Sequence, residues 1–144
     1  MPEIKSSENK GSVNLEHIDT SPLDYDESLQ FKIELNGNGF QGQATFWVSF
    51  DEWNRFLKNL QTLSKMLSGS AILKWGHTEP TSGFIEVRNV DERGHLTVVA
   101  KASKQVFGAH HKNDFSVQIQ IDIEPEGLNE WVNSLVSLEY PTKE

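Results

Sequence analysis

The chain has 144 residues, a net charge of −8, 36% hydrophobic residues, eight Phe, four Trp and no Cys. That length suits one domain able to bury about two-thirds of the surface its unfolded chain exposes. The lack of cysteine excludes a disulfide framework and any thiolate metal site. No apolar run approaches the ~18 residues a membrane helix requires. The opening Met1-Pro2-Glu3-Ile4-Lys5-Ser6 has neither the basic nor the apolar region of a secretion signal, so a cytoplasmic protein is expected.

Charge is unevenly placed. Residues 1–28 carry −5, residues 29–113 carry +3 and residues 114–144 carry −6. Acidic ends around a mildly basic middle disfavour nucleic acid and anionic membrane as partners and favour a basic protein. The same balance also serves solubility alone.

In chain order, residues 1–11 are polar and read as a loose tail. Ser12 to Ile18 alternates weakly and reads as an edge strand, followed by an Asp19-Thr20-Ser21-Pro22 break and an acidic connector, Leu23 to Glu27. Alternation is strong at residues 29–35, with Leu29, Phe31, Ile33 and Leu35 on one side. Asn36-Gly37-Asn38-Gly39 is a tight-turn sequence, and Ala44, Phe46 and Val48 resume the alternation, which predicts a hairpin.

Ser49-Phe50-Asp51-Glu52 reads as a capping box that opens a helix over about residues 50–67. Trp53, Phe56, Leu57, Leu60, Leu63 and Leu67 form its apolar stripe, and Gly69 is placed to end it. Four strands are predicted next, around residues 71–75, 84–90, 95–102 and 115–123. In the last, Phe115, Val117, Ile119, Ile121 and Ile123 point inward. Pro125 suits the first turn of a final helix bearing Leu128, Trp131, Val132, Leu135 and Leu138. No internal repeat is visible.

The expected fold class is therefore α+β: a single mostly antiparallel sheet of about six strands, with both helices packed on one face. Residues 1–28 form an acidic, partly ordered N-terminal segment with a possible edge strand. Residues 29–144 form one α+β domain.

No catalytic constellation is legible, and neither catalytic residues nor a cofactor is expected. Gly37-Asn38-Gly39-Phe40-Gln41-Gly42 echoes a phosphate-binding loop, but it joins two strands and opens no helix. His110 and His111 lie near Asp114, yet a metal site needs three or four convergent ligands, so a solvated loop tip is expected and no metal. No serine sits in a strand-to-helix elbow with flanking glycines. Paired acids such as Asp51-Glu52 and Asp91-Glu92 fall at helix starts and turns, where they meet the helix dipole or solvent.

The outward side of the sheet holds more promise. Alternation places Trp47 there among amides and charges, including Glu34, Glu86 and Asp122. An aromatic set among charges suits a protein-binding surface, with Trp47 as anchor and those three acids as contacts. Equally, Trp47 packs under the N-terminal segment if that segment crosses the face.

From about Leu29 to Leu138 the chain resembles the bacterial immunity proteins of the WapI type and their uncharacterised relatives. The shared features are the Gly39-Phe40-Gln41-Gly42 hairpin turn, a helix carrying Phe56, Leu60 and Leu63, and Gly69-Ser70-Ala71-Ile72-Leu73. They continue through Gly94-His95-Leu96-Thr97-Val98 and a last strand running into a short amphipathic helix. The resemblance implies an inhibitor that binds a toxin domain released in contact-dependent competition between bacteria. Such toxins are often nucleases, hence basic, and the acidic ends here would suit them. No functional residue motif of the family carries over to this chain. The expectation is a non-enzymatic, cytoplasmic binding protein that occludes a toxin's active site. The alternative is a structural or regulatory module that self-associates as a homo-oligomer through its sheet.

Overall fold

The computed structural model describes residues 2–6, 10–20, 28–76, 81–91, 93–107 and 112–138. Four strands come first: β1 (Glu3–Lys5), β2 (Gly11–Thr20), β3 (Ser28–Gly37) and β4 (Phe40–Ser49). Helix α1 (Phe50–Met66) follows, then β5 (Ser70–Trp75), β6 (Thr81–Asn89), β7 (Leu96–Phe107), β8 (Lys112–Ile123) and helix α2 (Pro125–Val136). Four strands and a helix thus occur twice, an order that no sequence repeat announces.

The strands form two antiparallel four-stranded sheets, ordered β1-β2-β3-β4 and β5-β6-β7-β8. The single six-stranded sheet expected from the sequence is corrected to two. Alternation tells which side of a strand is apolar, but not which strands share a sheet or what covers the apolar side. Here much of that cover is the other sheet, where helices were expected. The N-terminal reading changes as well. Ile4 is buried, and β2, expected at an edge, lies between β1 and β3. The acidic connector Leu23–Glu27 lies outside the described residues.

Local chemistry explains the elements that were foreseen. β3 and β4 meet through a two-residue turn in which Asn38 (φ 46°) and Gly39 (φ 90°) hold the positive angles such turns demand. The Glu52 N–H donates to Ser49 Oγ at 3.1 Å, capping α1 as predicted. Its far end departs from expectation. Leu67, not Gly69, is the left-handed cap residue (φ 53°), and its N–H donates to the Leu63 carbonyl at 2.8 Å. The Asn89 side-chain amide donates to the Leu67 carbonyl, which favours this non-glycine cap. Pro125 stands in the first turn of α2, and Leu128, Trp131, Val132 and Leu135 are buried.

The core joins both sheets and both helices. Trp53 of α1 tilts against Phe31 of β3, with ring centroids 4.3 Å apart, and Phe31 neighbours Phe46 of β4 at 5.9 Å. Phe46 stacks on Trp75 of β5 at 3.9 Å. Each such aromatic pair adds about 0.5–1.5 kcal/mol beyond its buried area. Helix α1 packs against β5 and α2, and α2 reaches β1.

Glycines set how closely the sheets approach. A β-carbon at Gly11 of β2 would lie 2.8 Å from Ile121 Cγ2, and one at Gly42 of β4 would lie 2.7 Å from Val117 Cγ2. At Gly37 of β3 the neighbour is Ile119 Cγ2, 3.6 Å away. Successive inward residues of β8 therefore lie over β2, β3 and β4 in turn, so β8 crosses the first sheet transversely. From Leu96 to Ala100 the strand β7 is buried on both sides. Thr97 and Val99 are covered there because their cross-strand neighbours Arg88, Asp122, Glu86 and Gln120 carry long or polar side chains alongside them.

This crossing predicts that Gly42→Ala lowers stability by about 1–3 kcal/mol through overpacking against Val117. Denaturant unfolding of the single and double variants checks it: Val117→Ala should recover part of the loss, and additive effects would contradict the contact.

Candidate functional site

Trp47 lies on the outer face of β4, 45% exposed, opposite Gln30 of β3. Glu34 lies on the same outer face, opposite Asn14 on one side and Gln43 on the other. It is held by Lys32, whose Nζ is 3.1 Å from its carboxylate. Trp47 and Glu34 stand four residues apart along the ladder, about 13 Å at ordinary strand rise. They share a solvent-facing surface.

Glu86 and Asp122 stand elsewhere. Both occupy the outer face of the second sheet, where Glu86 accompanies Arg88 (3.4 Å) and Asp122 accepts a hydrogen bond from the Thr97 hydroxyl (3.0 Å). Since the sheets pack through their apolar faces, these two acids look away from Trp47 and Glu34. The four residues do not form one patch. Alternation placed each correctly on an outer face but merged two faces into one.

Sequence reasoning missed the surface beside Trp47. Among the described residues no strand pairs with the far side of β4. A cleft of about 600 Å³ runs along that side, between Gln41–Ala44 and the β7–β8 hairpin residues Ala102–Lys104 and Asp114–Val117. A smaller hollow of about 210 Å³ continues it toward Lys32 and Thr45, with Lys104 shared between them. Phe115, expected inside, is 62% exposed at the cleft. No local signal in the sequence could show this, since Phe115 alternates in step with the buried Ile119, Ile121 and Ile123.

A second concavity, of about 690 Å³, lies between the end of α1 and the β6–β7 turn, lined by Met66, Leu67, Asn89, Val90, Asp91 and Arg93 among others. Its turn is built around Asp91. One carboxylate oxygen accepts from the backbone N–H groups of Arg93 (2.8 Å) and His95 (3.3 Å), and the other pairs with His95 Nδ1. Partial desolvation works to raise the Asp91 pKa. The His95 side chain, the two backbone donors and the nearby His95 charge outweigh it and hold the carboxyl below its ordinary 3.8. This arrangement reads as turn architecture. Among the described residues, no group of three or more His, Cys, Asp or Glu could hold a metal. His77, His110 and His111 lie outside the described residues.

With the geometry stated, the known proteins can be compared. The immunity protein WapI-like family has a model that matches residues 4–139. The chain belongs to this family. The match to the WapI-like family starts within β1, so the N-terminal strands are part of the family unit. The resemblance read from the residues alone began only near Leu29. No curated protein matches the chain significantly. A solved structure of the plant transcriptional regulator PBF-2 is similar, with a TM-score of 0.49 and 11% identity. The likeness covers 93% of this chain and 76% of that chain. No helix among the described residues is long and apolar enough to cross a membrane.

The lowered Asp91 pKa sets the sign of a pH effect. A depressed carboxyl contributes stability that is present above the unfolded value of about 3.8 and is lost as pH falls through the folded value. Protection of the β6–β7 turn amides, their exchange measured relative to the intrinsic rate at each pH, should therefore fall in acid, and Asp91→Asn should remove that acid dependence. An acid response of the turn that persists in Asp91→Asn would contradict the assignment.

Proposed function

We propose that this protein neutralises a cognate bacterial toxin by binding it and covering its active site, with the cytoplasm as the compartment of the encounter. The observation that carries the reading is membership of the immunity protein WapI-like family across nearly the whole chain. The structure supports it with an outer face that presents Trp47 beside amides and the Lys32–Glu34 pair. An exposed indole ringed by polar groups is the usual composition of an interface anchor, because it buries a large area while polar neighbours exclude water.

Within this reading Trp47 is the anchor and Glu34 a neighbouring contact. Glu86 and Asp122, on the other outer face, engage the same toxin only if it wraps both sheets, so they are assigned to capture at long range. The described side chains carry nearly as many bases as acids. The excess negative charge therefore resides mostly outside the described residues, in acids such as Asp24, Asp26, Glu27 and Glu139. A basic toxin would be drawn by that field and held by the sheet.

The test pairs this protein with the toxin domain encoded beside it. Trp47→Ala should weaken the complex by ~2 kcal/mol, about 30-fold, chiefly through faster dissociation, when measured by calorimetry and surface kinetics. Raising salt should slow association of the unaltered protein while leaving the Trp47 effect in place. Failure of the intact protein to protect cells expressing that toxin would overturn the reading. An unchanged dissociation constant in a folded Trp47→Ala variant would remove the anchor.

A further inference from the structure

Asn-Gly occurs twice in succession, as Asn36-Gly37 and Asn38-Gly39, and the fold treats the two copies differently. An asparagine side chain is open to attack by the backbone nitrogen of the next residue, and a glycine there leaves that nitrogen unobstructed. By residue type the two pairs are equally disposed to this reaction. Asn14, Asn59 and Asn89, by contrast, precede larger side chains.

The first pair lies within the sheet. Gly37 closes the hairpin with Phe40, and in such a closing pair each N–H donates to the other's carbonyl. Asn36 pairs on its other side with Ser12 of β2. The Asn36–Gly37 peptide is thus held between two ladders, and both residues are half-buried.

The second pair is the turn itself. Asn38 and Gly39 are exposed, and a β-carbon at Gly39 would meet nothing within 4 Å. Among the described residues no backbone carbonyl takes the Gly39 N–H. The turn borders an open hollow of about 340 Å³ that admits water. The angles φ 46° at Asn38 and φ 90° at Gly39 are those of a type I′ turn. Turning over the Asn38–Gly39 peptide alone makes it type II′, with ψ of Asn38 at about −120°. That rotation brings the Gly39 nitrogen onto the Asn38 side-chain carbonyl carbon, Cγ, and leaves the Gly37–Phe40 pair closed. For Asn36 the corresponding rotation breaks both ladders.

We propose that Asn38 is a self-modification site, converting to aspartate and isoaspartate while Asn36 persists. The Gly39 nitrogen gives its proton to hydroxide and bonds to Asn38 Cγ. The Cγ–Nδ2 bond breaks, and the amide leaves as ammonia after taking a proton from water. A cyclic succinimide remains, and water opens it by adding across either C–N bond of the ring. Opening at Cγ leaves aspartate at position 38. Opening at the backbone carbonyl carbon leaves isoaspartate, with the main chain routed through Cβ and Cγ. No oxidant or reductant takes part. The aspartate form keeps the turn, because Asp-Gly also suits type I′. The isoaspartate form lengthens the main chain inside a two-residue turn, so the Gly37–Phe40 closure opens. Either form places a new negative charge at the hollow that Lys5 and Lys10 also line.

The full chain is aged in mildly alkaline, ammonia-free buffer, digested, and sequenced by electron-transfer mass spectrometry, which separates aspartate from isoaspartate. Asn38 should convert at least about tenfold faster than Asn36, because the strand must open locally before Gly37 can react. Ammonia should appear in step, and an isoaspartyl methyltransferase should label the product. Unfolding the chain in guanidinium chloride should bring the two rates together. Asn38→Gly, which still suits a type I′ turn, should abolish conversion at that position. The folded-against-unfolded comparison needs no variant, so it decides the matter even if Asn38→Gly does not fold. Amide NMR of the aged chain should show Phe40 losing exchange protection in the isoaspartate form alone.

Equal rates at Asn36 and Asn38 in the folded chain would overturn the proposal. So would a folded chain in which Asn38 persists while the unfolded chain converts.

Discussion

The transverse passage of β8 over the first sheet governs the rest of the architecture. Neither four-stranded sheet buries its apolar face with helices alone, so each covers the other. Gly11 and Gly42 permit the contact, because a β-carbon at either position would collide with the Ile121 or Val117 side chain. The aromatic chain from Trp53 through Phe31 and Phe46 to Trp75 then ties α1 and both sheets into one core.

That passage also decides what is left exposed. Because β8 carries one more inward residue than the first sheet has strands to receive, Phe115 emerges past β4, and Lys104 follows from the opposite strand. The free edge, the overhang and Trp47 then lie along one strand, two on its edge side and one on its outer face. Glu86 and Asp122 belong to a different side of the molecule, where they mainly order the outer face of the second sheet through Arg88 and Thr97.

Much of the local structure was legible. The Asn38-Gly39 turn, the Ser49 cap, Pro125 and the stripes of both helices are set by interactions spanning four residues or fewer, and each appeared where its residues indicated. The misreadings share a cause. Leu67 displaced Gly69 as the helix cap because Asn89, 22 residues away, donates to its carbonyl. Phe115 was read as inward because its own alternation does not show that the first sheet ends before reaching it.

The sequence by itself determined the elements from β2 onward, their apolar sides and the family signature, since side-chain period and turn chemistry act over short stretches. Only the tertiary structure decided that eight strands form two sheets, that the acidic candidates divide between averted faces, and that Phe115 overhangs an unpaired edge. Pairing and sheet-on-sheet packing join residues distant in the chain. A strand's own pattern reports that it has an apolar side, never what will cover it.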